Sequence, residues 1–335
     1  IATEGGPDLK VITPATRRGF TSSTRSLPAL PSTPLAARPF LPIEQLSVPR
    51  AVARLGANVY HSPQLSVPYL SRVPVVLTVH DLFPLREAGL ARSRVAQAYY
   101  RSVFPRAVRR ADRIVAVSQY AVDELEEVLN VDPSTVTLIE HGLDHERWYP
   151  DRGDKAAALL APLALPDEYL LYVGAAKPHK NVAVLLRAHN DELPPLVIAG
   201  ATRDDVARGT GMTPGPGVRV LGPQPEALLR ALYSGAAAVA LPSRWESVGF
   251  TAWEAMACGA PVVASTAGGI PRTVGDAAVL VDPDDVAGWR DALRAVILDG
   301  ELRTRLVNAG ARRVAPLHWD TAARRYLEVY RDASR

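Results

Sequence analysis

Short apolar runs recur along the chain, with helix-like patterns between them. Residues 9–12, 58–60, 75–79, 114–117 and 136–139 form a first series, and 169–173, 196–199, 218–221, 238–241 and 262–263 a second. Their apolar residues run together instead of alternating with polar ones. That pattern predicts strands covered on both faces, as in parallel sheets whose crossovers are helices. Two such series predict an α/β chain with two doubly wound domains. A weak internal repeat supports the pairing: residues 106–118 read as a helix, a strand and a Ser turn, and residues 230–243 repeat that layout.

Between the series, Trp148-Tyr149-Pro150-Asp151-Arg152-Gly153-Asp154 gathers Pro, Gly and charge, which places a domain boundary near residue 150. Residues 14–48 are rich in Pro, Ser, Thr and Arg without periodicity, and are expected to form a long loop region. The last predicted helix, residues 319–331, carries Ala322, Tyr326, Leu327 and Tyr330 at helical spacing, a packing stripe.

Composition narrows the class. The chain has 335 residues, 47% of them apolar, which is enough for two cores. Its 38 basic and 35 acidic residues leave a net charge of +3, too small to favour nucleic acid as a partner. The single cysteine, Cys258, rules out an intrachain disulfide and fits a reducing, cytoplasmic compartment. With no basic neighbour in sequence, it reads as a small apolar residue at a helix end. No run approaches the ~20 apolar residues that cross a bilayer. The chain opens Ile1-Ala2-Thr3-Glu4-Gly5-Gly6, without Met or a signal-peptide pattern, so further residues are expected upstream. Arg92, Arg94, Arg101, Arg106, Arg109, Arg110 and Arg113 make residues 92–113 a basic helical stretch, interrupted near Pro105. Two readings of it stand: a solvated face, or peripheral contact with an anionic membrane surface.

The chemistry concentrates in residues 245–254. Glu246 and Glu254 stand with seven residues between them, around a Gly-Phe turn that opens a helix. The unpaired N–H groups of a helix start suit a phosphate, and the spacing keeps the two carboxylates too far apart to share a proton. They are placed to hold two parts of one long ligand, such as a sugar nucleotide. His141 and His145 stand four apart, but Gly142 between them argues against a helical metal pair, and no metal site is expected.

Taken in order, four motifs resemble the retaining GT-B glycosyltransferases of family 4. They are Thr78-Val79-His80-Asp81 after a strand, His141-Gly142-Leu143-Asp144 before the boundary, Val173-Gly174 followed by Lys177-Pro178-His179-Lys180-Asn181, and the Glu246-to-Glu254 segment. The resemblance covers roughly residues 55–335 and implies two Rossmann-like doubly wound domains with an interdomain cleft. Residues 1–150, joined by the C-terminal helix 319–335, would bind the acceptor. Residues 151–318 would bind the nucleotide sugar.

The same resemblance assigns roles. After the Gly174 turn, Lys180 would stabilise the leaving diphosphate, with Lys177 as second cation because Ala175 and His179 stand where relatives commonly carry Arg. Glu246 would accept hydrogen bonds from donor-sugar hydroxyls. The N–H groups of Val248, Gly249 and Phe250 would face phosphate or sugar, with Gly249 required for close approach. Glu254 would hold the ribose hydroxyls, and Gly268 and Gly269 a tight loop near the sugar; Pro271-Arg272 stands where many relatives have Pro-Glu. His80 would act at the transferred sugar as a hydrogen-bond donor. Asp81 would assist at the acceptor or cap a helix.

The implied activity is a retaining hexosyl transfer, independent of metal and without a resident cofactor. It would move mannose or glucose from a nucleotide-diphosphate sugar to a hydroxyl of a saccharide or lipid-linked acceptor, in the cytoplasm or on the cytoplasmic face of a membrane. Family frequency puts GDP-mannose ahead of UDP-glucose. Two alternatives stand beside it. One is a non-catalytic sugar-nucleotide-binding homologue, suggested by the absence of a first strand with its glycine-rich loop; the other is a GT-B enzyme that hydrolyses or epimerises nucleotide sugars.

Overall fold

Successive residues of the strand Val75–Val79 enter two different cores. Val75, Leu77 and Val79 pack with Phe104, Ala107, Val108 and Leu125, while Val76 packs with Val115, Ile139, Ala322, Val329 and Ala333. Because side chains alternate across a strand, this fully buried run sits inside a sheet covered by helices on both sides. The computed structural model describes residues 11–14, 32–35, 43–63, 67–86 and 98–335. It divides into two compact units, residues 1–140 with 320–335, and residues 141–319. The Pro- and Gly-containing segment 148–154 falls inside the second unit.

In the first unit, β1 (Val11–Pro14) pairs parallel with β2 (Ser32–Leu35). A second sheet orders β3 (Tyr60–Ser62), β4 (Val75–Val79), β5 (Arg113–Ala116) and β6 (Val136–Leu138), all parallel. The C-terminal helix Trp319–Ala333 covers one face of this sheet, burying Ala322, Val329 and Ala333. A polar chain fastens it there: Tyr330 Oη lies 2.7 Å from His61 Nδ1, His61 Nε2 lies 2.8 Å from Thr78 Oγ1, and Thr78 Oγ1 lies 3.0 Å from Tyr326 Oη. Burial, aided by nearby His80, lowers His61 to about 4. The ring is therefore neutral near pH 7, with one nitrogen donating and the other accepting.

The second unit carries one parallel sheet in the order β12-β11-β10-β7-β8-β9. Its strands are β7 (Leu170–Val173), β8 (Leu196–Ala199), β9 (Val218–Gly222), β10 (Ala238–Leu241), β11 (Val262–Ser265) and β12 (Ala278–Val281). Counted from β7, that is 3-2-1-4-5-6, the Rossmann order. One core gathers Leu170, Tyr172, Leu196, Ile198, Ala238, Ala240, Val263, Trp289 and Leu293. Trp253 and Trp289 are fully buried yet satisfied, their indole N–H groups donating to Thr273 O at 3.2 Å and Asp282 O at 3.0 Å.

Three features depart from the sequence reading. Within residues 14–48, β2 and the start of the helix Glu44–Arg54 replace part of the expected loop; Pro34 in the strand and Pro49 inside the helix mask both. Pro105 lies in the first turn of the helix Phe104–Arg110, so the interruption near it is a change of helix type from the π-helical turn before it, not a break in the chain's helical path. A π-helical turn, Tyr99–Val103, leads into it, and residues 92–97 of the basic stretch lie outside the described residues. The strand β12 was missed although Ala278-Val279-Leu280-Val281 is a continuous apolar run; of its residues only Val281 is buried. Among the described residues no helix is long and apolar enough to cross a membrane.

Candidate functional site

The strand order fixes where a site can form in the second unit. β7 and β10 are neighbours, but the connections that follow them run to opposite sides of the sheet. Such a reversal opens a crevice beyond the C-terminal ends of the two strands. The segment after β7 supplies Gly174, Lys177 and Lys180, and the segment after β10 supplies Ser243 and Glu246. Lys180 Nζ donates to Glu246 Oε1, and Ser243 Oγ donates to the same oxygen at 2.9 Å. The two charged side chains are only 27% and 15% exposed, so their attraction is less screened than that of a surface pair. Lys177 stands exposed three residues before Lys180.

Backbone proximity explains how the first segment keeps its shape. A Cβ built on Gly209, in the helix Arg203–Thr210, would lie 1.6 Å from the Ala176 carbonyl oxygen, so no side chain fits between that helix and the segment. Tyr172 Oη donates to Ala175 O at 2.9 Å. Asn181, 4% exposed, uses its amide to tie three strand ends together: Nδ2 donates to Pro242 O at 3.1 Å and to Pro283 O at 2.7 Å. The backbone N–H of Arg244 donates to His179 O at 2.7 Å. Both site segments are thus parts of one hydrogen-bonded structure, which suits preorganised binding of charge.

The Glu246 turn is held from the other side. Gly269 N donates to Glu246 O at 2.8 Å, and a Cβ on Gly269 would stand 2.2 Å from Ser247 O. A Cβ built on Gly268 would lie 2.8 Å from Glu246 O. What these two glycines demonstrably do is let the Glu246–Ser247 backbone settle on their loop. Gly249, at φ +70°, turns the chain into the helix Phe250–Ala257, so its left-handed backbone is a reason for glycine there, apart from any ligand. Val248 is buried, whereas Phe250 is partly exposed and packs its ring against His141 at 5.2 Å and Trp253 at 5.6 Å.

Glu254 does not meet Glu246. Its partner is Tyr233, whose hydroxyl donates to Oε2 at 2.9 Å. Burial raises the Glu254 carboxyl to about 7, against the opposing effect of that hydrogen bond. Burial also pushes the Cys258 thiol up to about 12, which makes it a structural residue and not a nucleophile.

In the first unit, His80 follows β4 and its Nε2 lies 3.0 Å from Pro63 O, so Nε2–H is the donor. Asp81 Oδ1 accepts from Phe83 N at 3.1 Å, opening the short helix Phe83–Arg86 as a capping residue does. The next residue is anchored by Glu124, a buried carboxylate that accepts from Leu82 N at 3.2 Å and Arg86 Nε at 2.8 Å.

Sequence reasoning named no role for Asn181, Ser243, Tyr233 or Glu124. Asn181 stood inside a quoted motif beside Lys180, and its polar character in a run leading to a buried helix was the available signal. Glu124 belongs to an acidic run with Glu126 and Glu127, which reads as a solvated face.

Residues 3–147 match the family model for Glycosyltransferase Family 4, and residues 161–313 match that for Glycosyl transferases group 1. The chain is 31% identical to a D-inositol 3-phosphate glycosyltransferase of Actinosynnema mirum, over 98% of this chain and 88% of that one. It is 34% identical to the protein of the same name from Salinispora arenicola, over 78% of this chain but spanning only 64% of that relative's length. Among solved structures, a sucrose-phosphate synthase from Thermosynechococcus elongatus matches with a TM-score of 0.79 at 23% identity, over 98% and 90% of the two chains. Anabaena HepE in complex with UDP and glucose matches at 0.74 and 18%, over 90% and 86%. The structural likenesses establish a GT-B fold, two Rossmann-like parallel-sheet domains. By this fold, the two family matches and the full-length relative, the chain belongs to glycosyltransferase family 4.

Proposed function

We propose that the chain transfers a hexosyl group from a nucleoside-diphosphate sugar to an acceptor hydroxyl, with retention of anomeric configuration. One observation carries the reading: a lysine and a glutamate from separate segments meet beyond the C-terminal ends of β7 and β10, where the Rossmann order opens its crevice. In this reaction the bond between the anomeric carbon and the β-phosphate oxygen breaks, and the diphosphate takes the electron pair. Lys180 and Lys177 neutralise that charge, together with N–H groups at the start of the helix Phe250–Ala257. Glu246 accepts from sugar hydroxyls and Glu254 from those of the ribose. The acceptor oxygen attacks from the side the diphosphate leaves, and its proton passes to the departing phosphate oxygen, so no enzymic nucleophile is required. His80 donates to the transferred sugar, and Asp81 serves the acceptor. In this reading neither metal nor cofactor takes part.

HepE, solved with UDP and glucose, supports a uridine donor over the GDP-mannose favoured by family frequency. Relatives named for D-inositol 3-phosphate support a phosphorylated polyol as one acceptor class. The test is a panel of UDP- and GDP-sugars with saccharide and phosphorylated polyol acceptors, read by nucleoside-diphosphate release and product anomeric configuration. Acceptor-dependent release, a product of retained configuration, and loss of turnover in Glu246→Ala are expected. Donor binding without any transfer would leave a binding protein, and undiminished turnover in Glu246→Ala would refute the site.

A further inference from the structure

Tyr169, Tyr172 and Tyr233 lie buried in the second unit, and their hydroxyls have different partners. Tyr169 and Tyr172 donate to backbone carbonyls, Leu232 O at 2.8 Å and Ala175 O at 2.9 Å, which is all that a buried phenol needs. Tyr233 donates instead to a carboxylate, Glu254 Oε2 at 2.9 Å. Burial opposes ionisation of that carboxylate and raises it to about 7. Packing alone does not explain an acid kept in so unfavourable a place; a ligand for its charge does.

Tyr233 is itself held still. It lies in the helix Glu226–Gly235, onto which the segment 147–152 is strapped. Arg230 Nε donates to Asp151 Oδ2 at 3.1 Å, Asp151 N to Ser234 Oγ at 2.9 Å, and Arg152 Nε to Ser234 O at 3.1 Å. Trp148 of that segment meets the Tyr233 ring edge-on at 5.7 Å. Glu254 stands one turn inside the helix Phe250–Ala257. Held by Tyr233, its side chain has already lost rotamer freedom that a ligand would otherwise have to remove. The hydroxyl takes one of roughly four lone-pair sites on the carboxylate and leaves the others for a diol.

Resting on the reading above, in which Glu254 accepts from the ribose hydroxyls, we propose that Tyr233 is a positioning residue for the donor. Its hydroxyl fixes the Glu254 carboxylate in the orientation that meets the ribose diol, and so sets the preference for ribonucleotides over 2′-deoxyribonucleotides.

The same hydrogen bond favours the ionised carboxylate, so its loss moves Glu254 further up. Among the groups around it, Glu226 of the Tyr233 helix adds a like charge. Cys258, one turn beyond Glu254, is held at about 12 and stays neutral, Tyr233 is raised well above its ordinary value and remains a donor, and Arg230 keeps its charge.

The test is calorimetric titration of the full chain with UDP and GDP, each against its 2′-deoxy form, from about pH 5.5 to 8.5. The terminal phosphate titrates alike in both forms and cancels from the ratio of affinities. Wild type should prefer the ribonucleotide by roughly ten- to hundredfold, and Glu254→Ala should abolish the preference. Tyr233→Phe should reduce it by roughly three- to tenfold with affinity for the 2′-deoxy form unchanged, and should have no further effect on it in the Glu254→Ala background. The wild-type preference should grow with pH across about 7, and in Tyr233→Phe that growth should lie at higher pH. A preference and pH profile unaltered in Tyr233→Phe overturn this inference alone. So do equal losses of affinity for both forms, which mark a purely structural tyrosine. Wild type that binds without discriminating between the forms removes the ribose role of Glu254, and this inference with it.

Discussion

Glu254→Gln should stabilise the second unit above neutral pH and leave it unchanged in acid. The native structure raises this carboxyl from 4.5 to about 7, chiefly by burial. In that interval the native state binds more protons than the unfolded chain, so stability falls as pH rises. At about 1.4 kcal/mol per pKa unit, the ionised carboxylate costs on the order of 3 kcal/mol once pH exceeds the native value. Glutamine keeps the shape and an oxygen to accept the Tyr233 hydroxyl, but it has no charge to desolvate. All five tryptophans lie within residues 141–319, and only Trp319 stands at the start of the helix that covers the first unit's sheet, so their fluorescence chiefly follows unfolding of the second unit. Urea unfolding across pH should show wild type and variant converging in acid and diverging towards pH 8. Parallel profiles for the two proteins would refute the argument, because they would mean that Glu254 ionises without penalty.

Other perturbations probe the remaining parts of the account. Lys180→Ala removes a charge-assisted contact worth about 1.5–3 kcal/mol, so affinity for UDP or GDP should fall roughly ten- to hundredfold by calorimetry; unchanged affinity would deny it a phosphate role. His80→Ala should lower turnover far more than donor affinity, and a loss confined to KM would make it a positioning residue. Gly269→Ala forces a methyl group to within 2.2 Å of Ser247 O and should cost at least about 1–3 kcal/mol in the same fluorescence assay. An unaltered midpoint would mean that the Glu246 turn is not held as described.

The sheets were legible in the sequence because buried parallel strands are continuous apolar runs. Val75–Val79, Leu196–Ala199 and Ala238–Leu241 match their predicted limits. β12 shows the same apolar run, Ala278 to Val281, yet was missed. Lys180 and Glu246 were nameable from their motifs, but their mutual hydrogen bond was not, because it joins segments 66 residues apart and depends on strand order. The supporting contacts were still less visible. Gly209 and Gly269 matter for the backbones they touch, and Asn181 for two carbonyls supplied by proline residues distant in sequence. Polar struts of this kind carry no periodicity, so only tertiary structure reveals them.

Hydrogen exchange of the full chain with and without saturating UDP-glucose or GDP-mannose tests the central claim most directly. Binding should slow exchange in residues 174–181, 243–250 and 266–270, the three segments gathered around the Lys180–Glu246 pair. Protection confined to other segments, with these three exchanging as they do in the free protein, would contradict it.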